Sequence, residues 1–442
     1  MRLYQTALVL GLASSGEAAA RLLLSEGTQV VVMDRGDSEI LCRRAAALQA
    51  LGAEVRLGVT APPRGNFEIS IVIPGITAAS DTVQSVMARG IPVVSELELG
   101  WSRSACRVLA ISGSNGKSTL VKLCAEALAQ AGQSAAIAGN YGPPISAVVS
   151  ERRPLDWLVL EVSSFQLETV QAFRPDVGVL LNVTPNHLDR HGDFQTYRQM
   201  KSRLFARMTP ADTGVTDRNI LPEIRALAGS PNRWITVGVN PAADFFYQSG
   251  AIHNSLGLER IELRGTLFDN EIMGLTAAAA AAALSACGVE GRCLAAAACA
   301  FQSLPHRLQD VGALRGIRFV NDSKATNLAA MMAALTMTRG PIRLIAGGLP
   351  KGESYGPARE LLAEKVATVY LIGQAAEAMA TAWRGAAPCV LGGTLEQAVA
   401  QAWREARPGD TILLSPACAS FDQFCSFEER GACFISAIRA LS

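Results

Sequence analysis

Histidine is scarce in this chain, with four in 442 residues, so each one has to be placed individually. A surplus of either charge is also missing. Lys plus Arg number 40 against 39 Asp plus Glu, a formal net charge of +1, and that balance argues against a nucleic-acid-binding surface as the main role. No apolar run approaches the length of a membrane span. The longest bland segment, Ala277 to Ala283, reads as a tightly packed helix. Met1-Arg2-Leu3-Tyr4 leads directly into an apolar strand, without the architecture of a signal peptide. Ten cysteines are scattered without paired metal-ligand spacing; they read as reduced, mostly buried thiols of a cytosolic protein. There is no internal repeat and no long disordered linker. The length suits two to four domains, each large enough for its own core.

What is present is organised around Ala110-Ile111-Ser112-Gly113-Ser114-Asn115-Gly116-Lys117-Ser118-Thr119. The apolar run from Val108 to Ile111 predicts a buried strand. Val121, Cys124, Ala125, Leu128 and Ala129 then recur at helical spacing, and Gly132 closes the helix. A strand, a Gly-rich turn and a helix that starts with Gly-Lys-Ser form a phosphate cradle. Backbone N–H groups converge there, the helix N-terminus adds partial positive charge, and Lys117 supplies a full one. Ser118 or Thr119 can place a hydroxyl on Mg²⁺. Ile111 stands where the leading Gly of the standard phosphate loop belongs.

Residues 1–95 predict a Rossmann-like domain. Ala7 to Leu10 is a strand, followed by Gly11-Leu12-Ala13-Ser14-Ser15-Gly16, a helix from Glu17 to Ser25, and a second strand from Thr28 to Met33 that ends at Asp34. An acidic residue at that distance suits a ribose hydroxyl. The Gly11–Gly16 turn lacks the middle Gly of the dinucleotide fingerprint, so plain βαβ punctuation and nucleotide binding both stay open. Ile71 to Ile76 predicts a further strand running into a loop.

A central domain, 96–303, holds the phosphate loop and then Asn140. The strand Trp157–Glu161 delivers a carboxylate where a phosphate-loop enzyme needs an acid for Mg²⁺. Val162 to Glu168, with Gln166, is dense in polar groups. A strand over 177–183 delivers His187 to the same sheet edge as Lys117 and Glu161, and Lys201 lies on the next helix. Alone, Lys201 reads as a surface lysine. A third domain, 304–442, has strands at 318–320, 343–346, 366–372 and 411–414. Each exits into polar or Gly-rich residues, which marks one edge as a binding edge. The fold class is therefore α/β: a Rossmann-like first domain, a central phosphate-loop domain with a mostly parallel sheet, and a Rossmann-like third domain.

Taken together, these stretches resemble the Mur ligases. The match runs nearly end to end: Ser112 to Thr119, Leu160 to Glu168, Asn182-Val183-Thr184 with His187, Leu304-Pro305-His306-Arg307, Asn321 to Asn327, and Leu414 to Ser420. The continuation to Asp422-Gln423-Phe424 points to the D-glutamate-adding members. The resemblance implies that ATP phosphorylates the carboxylate of UDP-N-acetylmuramoyl-L-alanine and that the amine of D-glutamate attacks the acyl phosphate. It implies ATP contacts from Gly113, Ser114, Asn115, Gly116, Lys117, Ser118, Thr119, Arg307 and Asp322. Ser118 and Glu161 would hold one Mg²⁺, and His187 and a carbamylated Lys201 a second. Ser14, Ser15, Asp34, Arg35 and Gly75 would meet the UDP moiety; Asn140, Gln166, Lys324 and Thr326 would meet the rest of that substrate. Lys351, Ser420, Phe421 and Phe427 would bind glutamate. The implied protein is a cytoplasmic monomer.

Two departures stand out. The family's His-Asn-x-x-Asn motif, which helps bind adenine, falls on Ile272 to Thr276, so Met273 and Thr276 replace the asparagines; Asn270 could substitute only with a shifted register. Pro185-Asn186 precedes His187 where an acidic residue often stands. Three other readings compete. Folylpolyglutamate synthase uses the same chemistry but lacks a UDP-binding domain ahead of the phosphate loop. A nicotinamide oxidoreductase is opposed by the missing middle Gly and by Lys117. A family member that binds UDP-sugar with weakened ATP use is suggested by Met273 and Thr276.

Overall fold

The computed structural model describes residues 3–230, 233–255 and 260–441. It contains three open sheets and divides into two compact units, residues 1–300 and 301–442. The α/β class with mostly parallel sheets holds in all three.

In the first sheet the strands lie in the order Glu54–Arg56, Gln29–Met33, Thr6–Leu10, Ile69–Val72, Val93–Ser95, all parallel. Helices cover both faces, so the strands read as continuous apolar runs rather than as alternating ones. Leu8, Val9 and Leu10 are fully buried. The predicted strand over 71–76 begins earlier and stops at Val72. A turn follows it, in which the Ile76 amide bonds the Ile73 carbonyl, and Gly75 lies in that turn.

The second sheet, in the same unit, has nine strands. Their order is Arg260–Glu262, Ala251–Asn254, Phe245–Gln248, Arg233–Gly238, Thr213–Asp217, Val177–Leu180, Arg107–Ser112, Trp157–Glu161, Ala135–Gly139. Seven run parallel; Ala251–Asn254 and Arg260–Glu262 close one edge as antiparallel ribbons. The chain reverses its direction of travel across the sheet at Arg107–Ser112, which lies between Trp157–Glu161 and Val177–Leu180. Ligands of open α/β sheets bind outside the carboxyl ends of strands at such a switch point. Buried carboxylates join the first two sheets. Glu98 accepts amide hydrogens from Gln171, Ala172 and Phe173 at 2.8–3.1 Å, and Glu96 accepts from the Ser146 amide at 2.6 Å. The alanine run lies in the helix Glu271–Ala286, buried from Ala277 to Ala283. Small side chains let that helix lie close on the helix Lys117–Gln130 and on Phe245–Gln248. At Gly274 a Cβ would stand 2.3 Å from the Tyr247 ring.

The second unit has its own six-stranded sheet, in the order Gln309–Leu314, Ile317–Asn321, Thr411–Ala417, Ile342–Gly347, Val366–Ile372, Cys389–Gly393. Only Gln309–Leu314 is antiparallel. Cores fill both faces, one around Trp383 and Met379 and one around Phe434 and Val399.

The cysteines correct one expectation. All ten are free, but only Cys124, Cys287 and Cys418 are buried; Cys42, Cys299 and Cys425 are exposed and the other four lie between. Cys42 and Cys299 sit on outward faces of helices, and Cys425 precedes a helix N-terminus. No helix among the described residues is long and apolar enough to cross a membrane.

Candidate active site

In the first unit the phosphate loop leaves the central strand Arg107–Ser112 and enters the helix Lys117–Gln130. Gly116 is the N-cap at φ +83°, where a side chain would be strained and where a Cβ would also press on Leu181. The loop is held from below by Asn182. Its side-chain oxygen accepts the amides of Ser114 and Asn115, both at 3.0 Å, and its amide group donates to the Asn115 carbonyl at 3.1 Å. Ser114 Oγ donates to the Thr184 carbonyl at 3.0 Å and shares a hydrogen bond with Tyr197 Oη at 3.1 Å. Thus Asn182 to Thr184, which follow the neighbouring strand, template the loop from the next strand exit.

Two lysines converge there. Lys117 Nζ donates to the Gly113 carbonyl at 2.9 Å and to the Ser114 carbonyl at 3.1 Å. Lys201 Nζ donates to the same Gly113 oxygen at 2.8 Å and reaches Ser112 Oγ at 3.5 Å. Lys201 is not on the surface: its residue is 2% exposed, because its face of the helix Phe194–Ser202 packs under the loop. Burial, reinforced by the Lys117 charge and only partly opposed by Glu161, holds its amine well below the usual lysine range. Lys201 Nζ also lies 4.8 Å from the Tyr197 ring centre. Burial pushes the Tyr197 hydroxyl up to about 12.

Glu161 ends its strand on the same edge, paired in register with Ile111. It is 2% exposed, yet both carboxylate oxygens are engaged: Ser118 Oγ donates to Oε2, and Asn140 Nδ2 donates to Oε1 at 2.7 Å. Lys117, Ser118, Glu161, Asn140 and Lys201 therefore do come together. Gln166 lies just beyond, with its side-chain oxygen accepting from the Ser163 amide and hydroxyl in a capping box at the start of the short helix Ser164–Leu167.

His187 does not emerge directly from a strand. The strand Val177–Leu180 stops earlier, and His187 is the N-cap of the short helix Leu188–His191 at φ +54°. Its ring meets the edge of Phe165 at 4.8 Å and stands 6.4 Å from Tyr197. His191 completes this aromatic group and bonds Ser164 Oγ through Nε2 at 3.0 Å. Asn182 opens the Asn182-Val183-Thr184 motif, whereas Tyr197 is a structural partner that no motif position had singled out. The signal for Tyr197 was its place four residues before Lys201, on one helix face.

The donor set at this edge bears on a divalent ion. Ser118 and Glu161 provide hard oxygen donors, and among the described residues no group of three or more His, Cys, Asp or Glu could hold a metal on its own. One carboxylate beside a phosphate cradle suits Mg²⁺, which keeps several waters and substrate phosphate oxygens rather than demanding an all-protein cage.

Asn270 is the N-cap of the helix Glu271–Ala286. Its Oδ1 accepts from the Met273 amide at 3.0 Å and its Nδ2 donates to the Leu267 carbonyl at 3.1 Å. The helix register is therefore set with Met273 and Thr276 on it, and Asn270 is used as a cap. Thr276 Oγ1 lies 3.6 Å from where a Cβ on Gly116 would be, so this helix does abut the phosphate loop.

At the first sheet, Ser14 and Ser15 open the helix Ser14–Ser25 beside Gly11, and Asp34 follows the adjacent strand. Asp34 ties two turns together, accepting from the Leu12 amide at 2.7 Å and the Gly36 amide at 2.8 Å. Arg35 and Gly75 are exposed at the same carboxyl edge.

The second unit carries a separate cluster. Asp322 follows the strand Ile317–Asn321; its carboxylate accepts from the Leu308 amide at 3.1 Å and from Ser415 Oγ at 2.9 Å. Burial pushes it up to about 7, against those hydrogen bonds and the charges of Arg307 and Arg430. Lys324 lies 3.7 Å from the centre of the Phe427 ring. Its backbone amide bonds the His306 carbonyl at 3.0 Å, and the Thr326 amide bonds the Lys324 carbonyl at 2.8 Å. Leu349 and Ala419 form a two-way bridge, which brings the Lys351 loop beside the Ser420 loop. Ser420 is buried, whereas Phe421 is 70% exposed. Sequence reasoning missed Arg430. It is 1% exposed, and its guanidinium donates to Ser323 Oγ and to the carbonyls of Ser323, Cys418 and Ala419 at 2.8–3.2 Å, joining the two loops. The signal was an arginine between Phe427 and Phe434, on the buried face of a helix.

The buried Asp322 makes folding pH-dependent. Its native carboxyl keeps a proton that the unfolded chain loses near 4, so folding takes up a proton between about pH 4 and 7. Stability therefore falls as pH rises through that window, and the cost, at most about 4 kcal/mol, is fully present above it. Asp322→Asn, which preserves the shape, is expected to flatten this fall. Urea midpoints at pH 5 and pH 8 should differ less in the variant than in the parent; equal differences would refute the assignment.

Comparison with known proteins follows the same division. Residues 111–282 match the Mur ligase middle domain, and residues 306–418 match the Mur ligase glutamate ligase domain. A UDP-N-acetylmuramoylalanine–D-glutamate ligase of Acidobacterium capsulatum is 38% identical over 440 residues, covering 97% of this chain and 94% of its own length. The enzyme of the same name from Pelotomaculum thermopropionicum is 37% identical over 451 residues, covering 98% and 97%. In fold, the chain is similar to the MurF ligase of Thermotoga maritima in complex with ADP, with a TM-score of 0.63 at 17% identity, over 94% of this chain and 96% of that one.

Proposed function

The chain belongs to the Mur ligase family, and from that premise we infer that it is an ATP-dependent amide ligase that adds D-glutamate to UDP-N-acetylmuramoyl-L-alanine, in the synthesis of peptidoglycan precursors. The observation that carries this reading is the near-full-length similarity to D-glutamate ligases, which spans the first sheet as well as the two matched domains. A folylpolyglutamate synthase would leave the first sheet without a role.

The reaction proceeds in two steps. The terminal phosphoryl group of ATP passes to the substrate carboxylate, and the glutamate amine then attacks the acyl phosphate, releasing phosphate as the amide forms. Phosphoryl transfer demands charge neutralisation and alignment more than covalent help from the protein. Amides of Gly113 to Thr119 cradle the phosphates, and Lys117 neutralises the β- and γ-phosphates. Ser118 and Glu161 would hold one Mg²⁺, and His187 with Lys201, were it carbamylated, would hold a second. Bound there, such ions would supply electrostatic stabilisation of the transferring phosphoryl group. Carbamylation converts the Lys201 amine, already disfavoured as a cation, into an anionic oxygen donor. Asn140 fixes the Glu161 carboxylate from its second oxygen.

Substrate contacts fall to each sheet edge. Ser14, Ser15, Asp34, Arg35 and Gly75 bind the UDP moiety; Asn140, Gln166, Lys324 and Thr326 bind the remainder. Arg307 and Asp322 hold ATP, and Lys351, Ser420, Phe421 and Phe427 hold glutamate. On this reading residues 1–95, 96–303 and 304–442 are the UDP-binding, ATP-binding and glutamate-binding domains of a cytoplasmic monomer. Phosphate release in the presence of ATP, Mg²⁺ and UDP-N-acetylmuramoyl-L-alanine should depend on D-glutamate and not on L-glutamate. No release above the control without glutamate sinks the reading; release with the L isomer alone moves the chain to a different glutamate ligase.

A further inference from the structure

We propose that Arg190 is a positioning residue that bolts the loop carrying Gly75 to the segment carrying His187, so that one side chain sets both the grip on UDP and the geometry of the reacting centre. The inference rests on the reading of the Gly75 loop as part of the UDP site. Arg190 forms a bidentate ion pair with Glu168, Nε to Oε1 at 2.7 Å and Nη2 to Oε2 at 2.9 Å, with side chains only 13% and 9% exposed. The same guanidinium donates to the Pro74 carbonyl at 2.6 Å and the Ile76 carbonyl at 3.3 Å, and Glu168 accepts from the Ala78 amide at 3.2 Å. Three peptide groups of a first-sheet loop are thus held by an ion pair that belongs to the second sheet.

The consequences run in both directions. A peptide unit is planar and trans, so fixing the Pro74 carbonyl aims the Gly75 N–H the opposite way. That amide belongs to a residue proposed to meet UDP. In the other direction, the Arg190 guanidinium carbon lies 3.9 Å from the Phe165 ring centre, and Phe165 presents itself to the His187 ring at 4.8 Å and 67°. The chain of contacts therefore runs from the Gly75 loop through Arg190 and Phe165 to His187. Only arginine suits the position: a rigid fork is needed to satisfy a carboxylate and two carbonyls while its carbon stands 3.9 Å over an aromatic ring, and a lysine offers a point charge without the fork.

The test measures UDP and ADP binding by calorimetry, and kcat, on the full chain. In Arg190→Lys the Kd for UDP should rise about tenfold and kcat should fall about tenfold or more, while the Kd for ADP stays within about twofold. An unchanged UDP affinity, or equal weakening of UDP and ADP as general loosening would give, overturns the proposal. If Arg190→Lys does not fold, Phe165→Leu carries the test. It leaves the ion pair on the loop but removes the ring that packs against His187, so UDP binding should hold while kcat falls about tenfold; parallel loss of both, or of neither, overturns the coupling. A parent chain that binds ADP but not UDP would instead defeat the first-sheet reading beneath it.

Discussion

Lys117→Ala is expected to lower kcat by about 10³-fold or more without unfolding the chain. Phosphoryl transfer spreads negative charge over oxygens that must be matched by a preorganised cation, and loss of one such group costs about 4 kcal/mol of barrier. On the proposed reading Lys117 is that cation. Its ammonium is held over the loop by the Gly113 and Ser114 carbonyls, so its position is set by the same backbone that cradles phosphates. Arginine should not restore activity, because a planar guanidinium cannot occupy the place of a compact ammonium inside the turn. Steady-state phosphate release measures the loss, and urea denaturation provides the folding control. Activity within tenfold of the parent would remove Lys117 from the chemistry.

Lys201→Ala is expected to cost about 10³-fold in kcat and to be partly rescued by short carboxylates such as formate or acetate. The residue lies buried under the phosphate loop, where burial favours the uncharged form of its amine, and that form can add CO₂ to give a carbamate and a proton. A buried cation there would repel Lys117, which bonds the same Gly113 oxygen, whereas a carbamate would complement it. A free carboxylate in the space left by the side chain supplies the same donor oxygens. Rescue should saturate with carboxylate concentration and should be absent in Glu161→Ala. Full activity in Lys201→Ala without any additive would refute the carbamate.

The elements proposed to carry the chemistry were legible because their signals are local. The strand Trp157–Glu161 and the strand Val366–Ile372 have the predicted bounds, since a buried parallel strand is written as an uninterrupted apolar run. The turn Gly113 to Lys117 was equally readable, because a left-handed Gly116 and a helix-starting lysine are demands of the backbone itself. Boundaries set by hydrogen-bond partners were read less well. Val177–Leu180 ends before the apolar run does, since Leu181 onwards leaves the sheet to dock under the phosphate loop.

Sequence alone thus determined the fold class, the phosphate cradle and the candidate residues at the strand exits, because residue type and spacing dictate backbone conformation over a few residues. Tertiary structure decided what those residues are worth. It buried Lys201 beside Lys117 and turned an ordinary helix lysine into an amine that disfavours its charge. It assigned Asn270 to a helix cap and Gln166 to a capping box, lifted the Asp322 carboxyl to about 7, and made Arg430 and Arg190 the ties between loops far apart in the chain. Burial and long-range partners set these properties, and no short window of sequence contains either.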